Sequence, residues 1–148
     1  LHHSANRLPE WYLEAVGVLV SRLNACGYCA GHHGAGLQRL LQSESMDFHA
    51  YDSALSQPMP GEPFTQKEQQ GLAYTRKLTL TAGQIGASDI ESLRQAGFED
   101  GEILELNQVA AYFAYANRTV SGLGVHPDGE VLGQSPATGG DQSGWRHG

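Results

Sequence analysis

The chain has 148 residues, of which 40% are apolar and 17% are charged, which fits one compact soluble domain and excludes a disordered chain. Sixteen acidic side chains against nine basic ones give a formal charge of -7, so the chain lacks the positive charge that binds a phosphate backbone, and we expect no nucleic-acid partner. No apolar run approaches the roughly 18 to 20 residues that cross a bilayer, so we expect no membrane partner.

The chain begins with Leu1 rather than Met, and no charged segment followed by an apolar one opens it. We therefore expect no secretory signal, and we expect that residues are missing from the N-terminus. The only cysteines are Cys26 and Cys29, too few for an extracellular disulfide framework in a chain of this length. These features predict a cytoplasmic protein with a redox or metal-binding cysteine pair.

The first half of the chain carries two segments with helical spacing of apolar residues. The spacing predicts one helix over Leu8 to Leu23 and a second from about Gly27 to Gln42. Three prolines and one glycine between Ser56 and Pro63 predict a loop between two helical halves. The second helix holds three glycines that indicate close packing against a neighbour: Gly31, Gly34 and Gly36.

Two further helices are predicted from their starts. Thr65 with Glu68, and Ser88 with Glu91, each fit a capping box, in which the first side chain and the later carboxylate satisfy backbone amides at a helix start. The first of these helices should run to about Leu80. The second should be short, because a helix-ending glycine follows it closely.

The last predicted helix is the longest. Gly97 ends the preceding helix, and helical spacing of apolar residues then continues from Asp100 to Gly122, so we expect this segment to be the central core helix. No alternating strand pattern is present, and the sequence predicts an all-α fold of about five to six helices. We expect one helical domain over residues 1–126 and an irregular, glycine-rich C-terminal tail over 127–148.

The segment NACGYCAGHHGAGLQRLL contains the residues best suited to chemistry. A C-x-x-C pair at a helix start keeps Cys26 and Cys29 within disulfide reach, and the exposed amides favour a thiolate. His33 lies one helical turn after Cys29, so its imidazole can accept the thiol proton. If the preceding helix folds back beside this one, Glu14 can orient His33, which gives a nucleophile, a base and an orienting acid.

Metal and haem interpretations compete with this redox constellation. The cysteine pair with His32 or His33 could supply three zinc ligands, but a closed site needs a fourth. Because the chain has no second C-x-x-C and no H-x-x-x-H, His49 or His126 would have to be recruited. Covalent haem attachment requires His directly after the second cysteine, where this chain has Ala30.

The arrangement of Glu14, the C-x-x-C pair twelve residues later and His33 resembles the alkylhydroperoxidase D-like (AhpD-like), or carboxymuconolactone decarboxylase, family. VSRLNACGYCAGHH resembles the peroxidase-related branch of that family, including its paired histidines. FTQKEQQGLAYTRKLT and GFEDGEILELNQVAAYFAYANRTVSGLGV resemble the second helical half of the same branch. The resemblance covers roughly residues 5–126, and its motif is specific because decarboxylase members lack the cysteine pair.

The resemblance implies an all-helical, AhpD-like fold that assembles as trimers or hexamers. It also implies a peroxidase without cofactor or metal, which reduces organic hydroperoxides and is reduced in turn by an external dithiol or thiol. Carried over by position, Cys29 is the peroxidatic thiol, Cys26 the resolving thiol, His33 the proton acceptor and Glu14 the upstream relay acid. The helix-start argument alone favours Cys26 as the attacking sulfur, whereas the neighbouring His33 and the resemblance favour Cys29.

The chain departs from its relatives at Tyr28, since some of them have a relay histidine just before the second cysteine. A tyrosine is a poorer proton acceptor at neutral pH, so a water or direct contact with His33 must serve instead. Relatives also often have a further helix before the motif. Three alternatives to the peroxidase stay open: a redox sensor without significant turnover, a zinc-binding interaction module, and a lactone decarboxylase that uses His33 and Glu14 without the thiols.

Overall fold

The computed structural model describes residues 6–125, and within this range the chain is all-α, without a strand. Six α-helices and one 3₁₀ turn follow one another: α1 (Glu10–Leu23), α2 (Gly27–Ser43), α3 (Phe48–Leu55), α4 (Gln66–Thr81), the 3₁₀ turn (Ala82–Gln84), α5 (Ala87–Gln95) and α6 (Asp100–Gly122). The predicted all-α class is confirmed. The predicted tail, 127–148, lies outside the described residues, and none of the described helices combines the length and apolarity needed to span a bilayer.

Local signals fixed most helix ends correctly. The capping box at the start of α4 is present, with Thr65 Oγ1 accepting from the amide of Glu68 at 3.3 Å and the Glu68 carboxylate accepting from the amide of Thr65 at 2.8 Å. Gly97 follows α5 with φ of 104°, a left-handed conformation that glycine adopts without steric cost. The predicted loop over 56–63 lies between α3 and α4.

The predicted capping box of Ser88 with Glu91 is wrong by two residues. Helix α5 begins at Ala87, and the Asp89 carboxylate accepts a hydrogen bond from the amide of Gly86 at 2.8 Å. Asp89 also forms an ion pair with Lys77 of α4 at 2.7 Å. The residue that caps α5 is therefore also the one that contacts α4, and the local pattern of Ser88 and Glu91 did not predict this helix start.

Helix α3 was not predicted. Asp47 caps its N-terminus by accepting from the amide of His49 at 3.0 Å. Its buried residues Tyr51, Ala54 and Leu55 keep helical spacing. An aspartate before an apolar-periodic segment is the signal that could have identified it.

The central helix of the described fold is α1, and the prediction that α6 holds this position is wrong. Every residue of α1 from Trp11 to Ser21 is buried, because α1 packs against α2, α3, α4 and α6. A helix that is buried all round must be surrounded by other elements. Helix α6 buries one stripe and leaves apolar residues exposed, among them Leu104, Tyr112 and Tyr115.

Two glycines allow other helices to approach α1 and α4 closely. A methyl group at Gly17 would lie 2.6 Å from the Phe113 ring, so α6 packs on α1 only because this side chain is missing. A methyl group at Gly71 would overlap the Tyr12 hydroxyl, which donates to the Glu68 carbonyl at 2.8 Å. Burial raises the pKa of Tyr12 far above its ordinary range, so the hydroxyl remains a donor.

Candidate functional site

The cysteine pair lies at the turn that joins α1 to α2. Cys26 is the N-cap of α2, and its Sγ accepts from the amide of Cys29 at 3.4 Å. The two side chains are at disulfide distance, with Cα atoms 5.4 Å apart, and both are buried. The prediction that the pair opens a helix within disulfide reach is confirmed.

Glu14 and His33 are brought together as the spacing predicted. His33 Nδ1 lies 2.7 Å from Glu14 Oε2, and Glu14 is only 1% exposed, in the middle of α1. A methyl group at Gly36 would lie 3.3 Å from Glu14 Oε2, which explains the close approach of α2 at this glycine. No such role exists at Gly34, where a methyl group would meet nothing within 4 Å.

A pocket of about 260 Å³ opens beside this pair. Cys29 lines it, whereas Cys26 is not among the lining residues. Its walls come from α1, α2 and α6 and comprise Glu14, Tyr28, Cys29, His32, His33, Tyr112, Ala116, Asn117 and Val120. The cysteine that lines the pocket is therefore the second of the motif, the one with His33 a turn away.

Aromatic contacts hold both histidines at the pocket wall. The rings of His33 and Phe113 meet edge to face with centroids 4.5 Å apart, and those of His32 and Tyr28 lie at the same centroid distance with a 49° tilt. Tyr28, which stands directly before Cys29 in the chain, thus packs against His32. Such ring contacts favour particular orientations of an imidazole.

Sequence reasoning missed the contribution of α6 to the site. Asn117 is buried, lines the pocket, and donates from Nδ2 to Ser21 Oγ at 3.0 Å. It stands 88 residues beyond Cys29 in the chain, so no local spacing could connect the two. One signal in the sequence could have identified it. Asn117 follows Phe113 by four residues, so this polar side chain occupies a position of the long helix where the spacing predicts an apolar one.

The described residues do not assemble the alternative zinc site. Between positions 6 and 125, no group of three or more His, Cys, Asp and Glu side chains is arranged to hold a metal ion. His49 lies at the start of α3 and does not line the pocket, and His126 lies outside the described residues. The structure brings together at this site two cysteines, two histidines and a buried carboxylate.

Comparison with solved structures supports the family assignment that the motif predicted. An uncharacterized peroxidase-related protein from Silicibacter sp. TM1040 is similar with a TM-score of 0.74 and 28% identity, over 84% of this chain and 62% of that protein. A second uncharacterized peroxidase-related protein, from Ralstonia eutropha JMP134 and described as an alkylhydroperoxidase AhpD core, also has a TM-score of 0.74, with 22% identity over 85% of this chain and 64% of that one. This chain spans less than two thirds of the length of either protein.

A third neighbour, a protein of unknown function from Agrobacterium tumefaciens named as a candidate antioxidant defence protein AhpD, has a TM-score of 0.64 and 18% identity over 81% of this chain and 79% of that one. At that identity the likeness concerns the fold alone. No protein-family model and no curated protein matches the chain. The neighbours are thus AhpD-like, peroxidase-related proteins.

Proposed function

We propose that this AhpD-like chain is a thiol-dependent peroxidase that reduces organic hydroperoxides. The observation that carries the proposal is the partly buried hydrogen bond of 2.7 Å between Glu14 and His33, in the wall of a pocket that Cys29 also lines. The partner thiol is in place as well, because Cys26 lies at disulfide distance from Cys29. A nucleophile, a base and a group that orients the base are the parts that thiol catalysis requires.

The first step oxidises Cys29. With Nδ1 of His33 donating to Glu14, Nε2 is left to take the thiol proton, and Glu14 stabilises the imidazolium that results. The thiolate attacks the distal oxygen of ROOH, so the O–O bond breaks as the S–O bond forms. Cys29 becomes a sulfenic acid, and the departing alkoxide takes the proton from His33 and leaves as ROH.

The second step closes the disulfide and the third reopens it. The Cys26 thiol attacks the sulfenic sulfur, and the S–S bond forms as water leaves. An external dithiol then reduces the bond by thiol-disulfide exchange, which restores both thiols and oxidises the dithiol. One hydroperoxide and one dithiol are consumed in each cycle, and no cofactor takes part.

The pocket walls favour an organic rather than an inorganic peroxide. Ala116 and Val120 of α6 add aliphatic groups to the pocket wall, and Tyr112 adds an aromatic ring. The volume of the pocket, about 260 Å³, lies just below the range for drug-sized ligand sites, which starts at about 300 Å³. We expect small alkyl or aryl hydroperoxides, such as cumene hydroperoxide, to react faster than long-chain lipid hydroperoxides.

The assignment of the attacking sulfur is tested with two cysteine variants and one equivalent of cumene hydroperoxide. We expect Cys26→Ser to react once and to retain a sulfenic acid on Cys29, because the resolving thiol is missing. We expect Cys29→Ser to be inert toward peroxide and to keep a free thiol at Cys26. Mass spectrometry after trapping of sulfenic acid with dimedone distinguishes the two variants.

The wild-type chain provides the control. It should lose two thiols per equivalent of peroxide in a metal-free sample, and it should turn over with excess dithiol. A sulfenic acid found on Cys26 of Cys29→Ser, with none on Cys29 of Cys26→Ser, would reverse the assignment. Unchanged thiols together with one bound zinc per chain would refute the redox function.

We also propose that the chain assembles as a homotrimer or homohexamer. Several large apolar side chains are exposed on α6 and just beyond it, and burying them in one repeated interface is favourable: Leu104, Tyr112, Tyr115 and Leu123. Light scattering at micromolar concentration should give three or six times the mass of one chain. The mass of a single chain would contradict this proposal.

A further inference from the structure

A buried amide connects α6 to the end of α1. Asn117 is 1% exposed, and its Nδ2 donates to Ser21 Oγ at 3.0 Å while its Oδ1 accepts from Asn24 Nδ2, also at 3.0 Å. Ser21 is itself fully buried in the last turn of α1, and Asn24 follows the helix directly. One side chain of α6 therefore holds two positions of the segment that leads to the cysteine pair.

The same segment sets the position of Cys26. The amide of Cys26 donates to the carbonyl of Ser21 at 2.9 Å. Ala25, which lies between Asn24 and Cys26, has a φ of 55°. A left-handed conformation at a residue other than glycine costs free energy and persists only where its surroundings impose it. Both hydrogen bonds of Asn117 lie on the N-terminal side of Ala25, at Ser21 and Asn24. They hold the end of α1 from which the chain reverses, and the bond from the Cys26 amide to the Ser21 carbonyl joins the cysteine to that end.

We propose that Asn117 is a positioning residue for the resolving cysteine: it fixes the turn that carries Cys26 and thereby holds this thiol within reach of Cys29. We call Ser21, Asn24 and Asn117 together the turn clamp. The proposal deepens the proposed function and rests on it for the part that the disulfide plays in peroxide reduction. Asn117 acts here through Cys26 and not by contact with the reacting sulfur.

The effect of the clamp on disulfide closure follows from conformational freedom. A disulfide restricts its two side chains and the turn between them, whereas the dithiol form gains freedom if the turn loosens. The clamp limits that freedom in the dithiol form and so raises the effective concentration of the Cys26 thiol near Cys29. Loss of the clamp should make the disulfide less favourable and its closure slower.

The experiment measures the equilibrium between the protein dithiol and oxidised glutathione, which yields the protein disulfide and two molecules of reduced glutathione. The protein is equilibrated with glutathione mixtures, and the disulfide fraction is obtained by alkylation and mass spectrometry. Asn24→Ala removes one hydrogen bond to Asn117 and leaves the pocket wall intact, and it should lower the equilibrium constant about fivefold. Asn117→Leu removes both hydrogen bonds of the clamp and should lower the constant by at least as much.

The double variant of Asn117→Leu with Asn24→Ala adds a sharper criterion. If both changes act through the same clamp, the second should add little to the first, since coupled residues are non-additive. Thr75→Val is the matched control, because Thr75 is fully buried in α4 and donates to the Gly71 carbonyl at 2.9 Å. It should lower the thermal midpoint and leave the glutathione equilibrium unchanged.

Two results would overturn the proposal. One is an equilibrium constant within twofold of wild type in Asn24→Ala and Asn117→Leu, with both variants folded by circular dichroism. The other is a shift of equal size in Thr75→Val, which would mean that any loss of stability changes the equilibrium. This measurement contains no peroxide, so a wild-type protein inert to cumene hydroperoxide would refute the proposed function without affecting the test of the clamp.

Discussion

Two sets of charged groups in this molecule differ in where they lie. Glu14 and His33 meet inside the helical bundle, with side chains 1% and 25% exposed. The ion pairs of Lys67 with Glu102 and of Lys77 with Asp89 join helix starts to α4 near the surface, where the lysines are more than a third exposed. Surface pairs contribute little to stability, whereas a buried carboxylate is costly unless it is paired. This difference supports the proposed role of Glu14 in the reaction, and it leaves the surface ion pairs with a minor structural role.

The largest expected difference between the two sets is in catalysis. Glu14→Gln keeps the size of the side chain but removes the charge that stabilises the His33 imidazolium, so we expect kcat/KM for cumene hydroperoxide to fall about 100-fold, in the range for loss of acid-base assistance. The thermal midpoint should change little. Steady-state kinetics with excess dithiol measure the effect.

Glu102→Gln is the matched control, because it makes the same chemical change on a carboxylate that binds Lys67 at 2.8 Å, away from the pocket. Its activity should equal that of wild type. Equal losses in the two variants, or normal activity in Glu14→Gln, would mean that Glu14 has no special part in the reaction.

The second expected effect concerns the space that the buried pair needs. Gly36→Ala places a methyl group 3.3 Å from Glu14 Oε2, so the carboxylate must shift by a few tenths of an ångström from His33. We expect kcat/KM to fall about tenfold, because small misplacements in a catalytic group have large effects on rate. Activity assays together with the thermal midpoint measure it.

Gly34→Ala provides the control two residues away on the same helix. A methyl group there meets nothing within 4 Å, so the change should stabilise α2 by about 0.5 to 1 kcal/mol through helix propensity. Activity should be retained. A loss of activity in Gly34→Ala as large as that in Gly36→Ala would show that α2 tolerates no change here, whatever its contact with Glu14.

Local patterns were sufficient for the parts of this fold that depend on local interactions. The start of α4 follows from Thr65 and Glu68, and the end of α5 follows from Gly97, because caps involve residues within one turn of each other. The pairing of Glu14 with His33 was predictable because only a short turn separates their helices. The family motif added the same four residues by resemblance.

The sequence did not reveal what depends on distant contacts. The start of α5 coincides with a hydrogen bond that Lys77, twelve positions earlier, donates to Asp89, whereas the local pattern offered Ser88 and Glu91 as an equally good cap. The central position of α1 results from packing by four other helices. The apolar spacing of a single segment does not show how many helices will pack against it. Asn117 joins the site only through tertiary packing of α6.

The smallest expected effect is the pH dependence of the stability that the surface ion pairs contribute. Burial by itself raises the pKa of Glu102, but the hydrogen bonds from Lys67 and from the Glu99 amide outweigh it and hold that pKa below its ordinary value of 4.5. The pKa of Asp89 is lowered as well, first by its hydrogen bond from Lys77 and then by that from the Gly86 amide. A carboxyl group whose pKa is lowered on folding stabilises the protein above its unfolded pKa, and this contribution is lost as pH falls through the folded value.

The pH dependence of Glu102→Gln tests this account. At pH 7 the variant should be less stable than wild type by no more than about 1 kcal/mol, since the pair is partly exposed and screened by salt. The difference should shrink as the pH falls below about 4.5 and disappear once the wild-type carboxyl group is protonated. Urea unfolding of wild type and variant at pH 7 and at pH 3 measures the difference in the free energy of unfolding at each pH. A difference that persists unchanged at pH 3 would show that Glu102 stabilises the start of α6 by its packing and not by its charge.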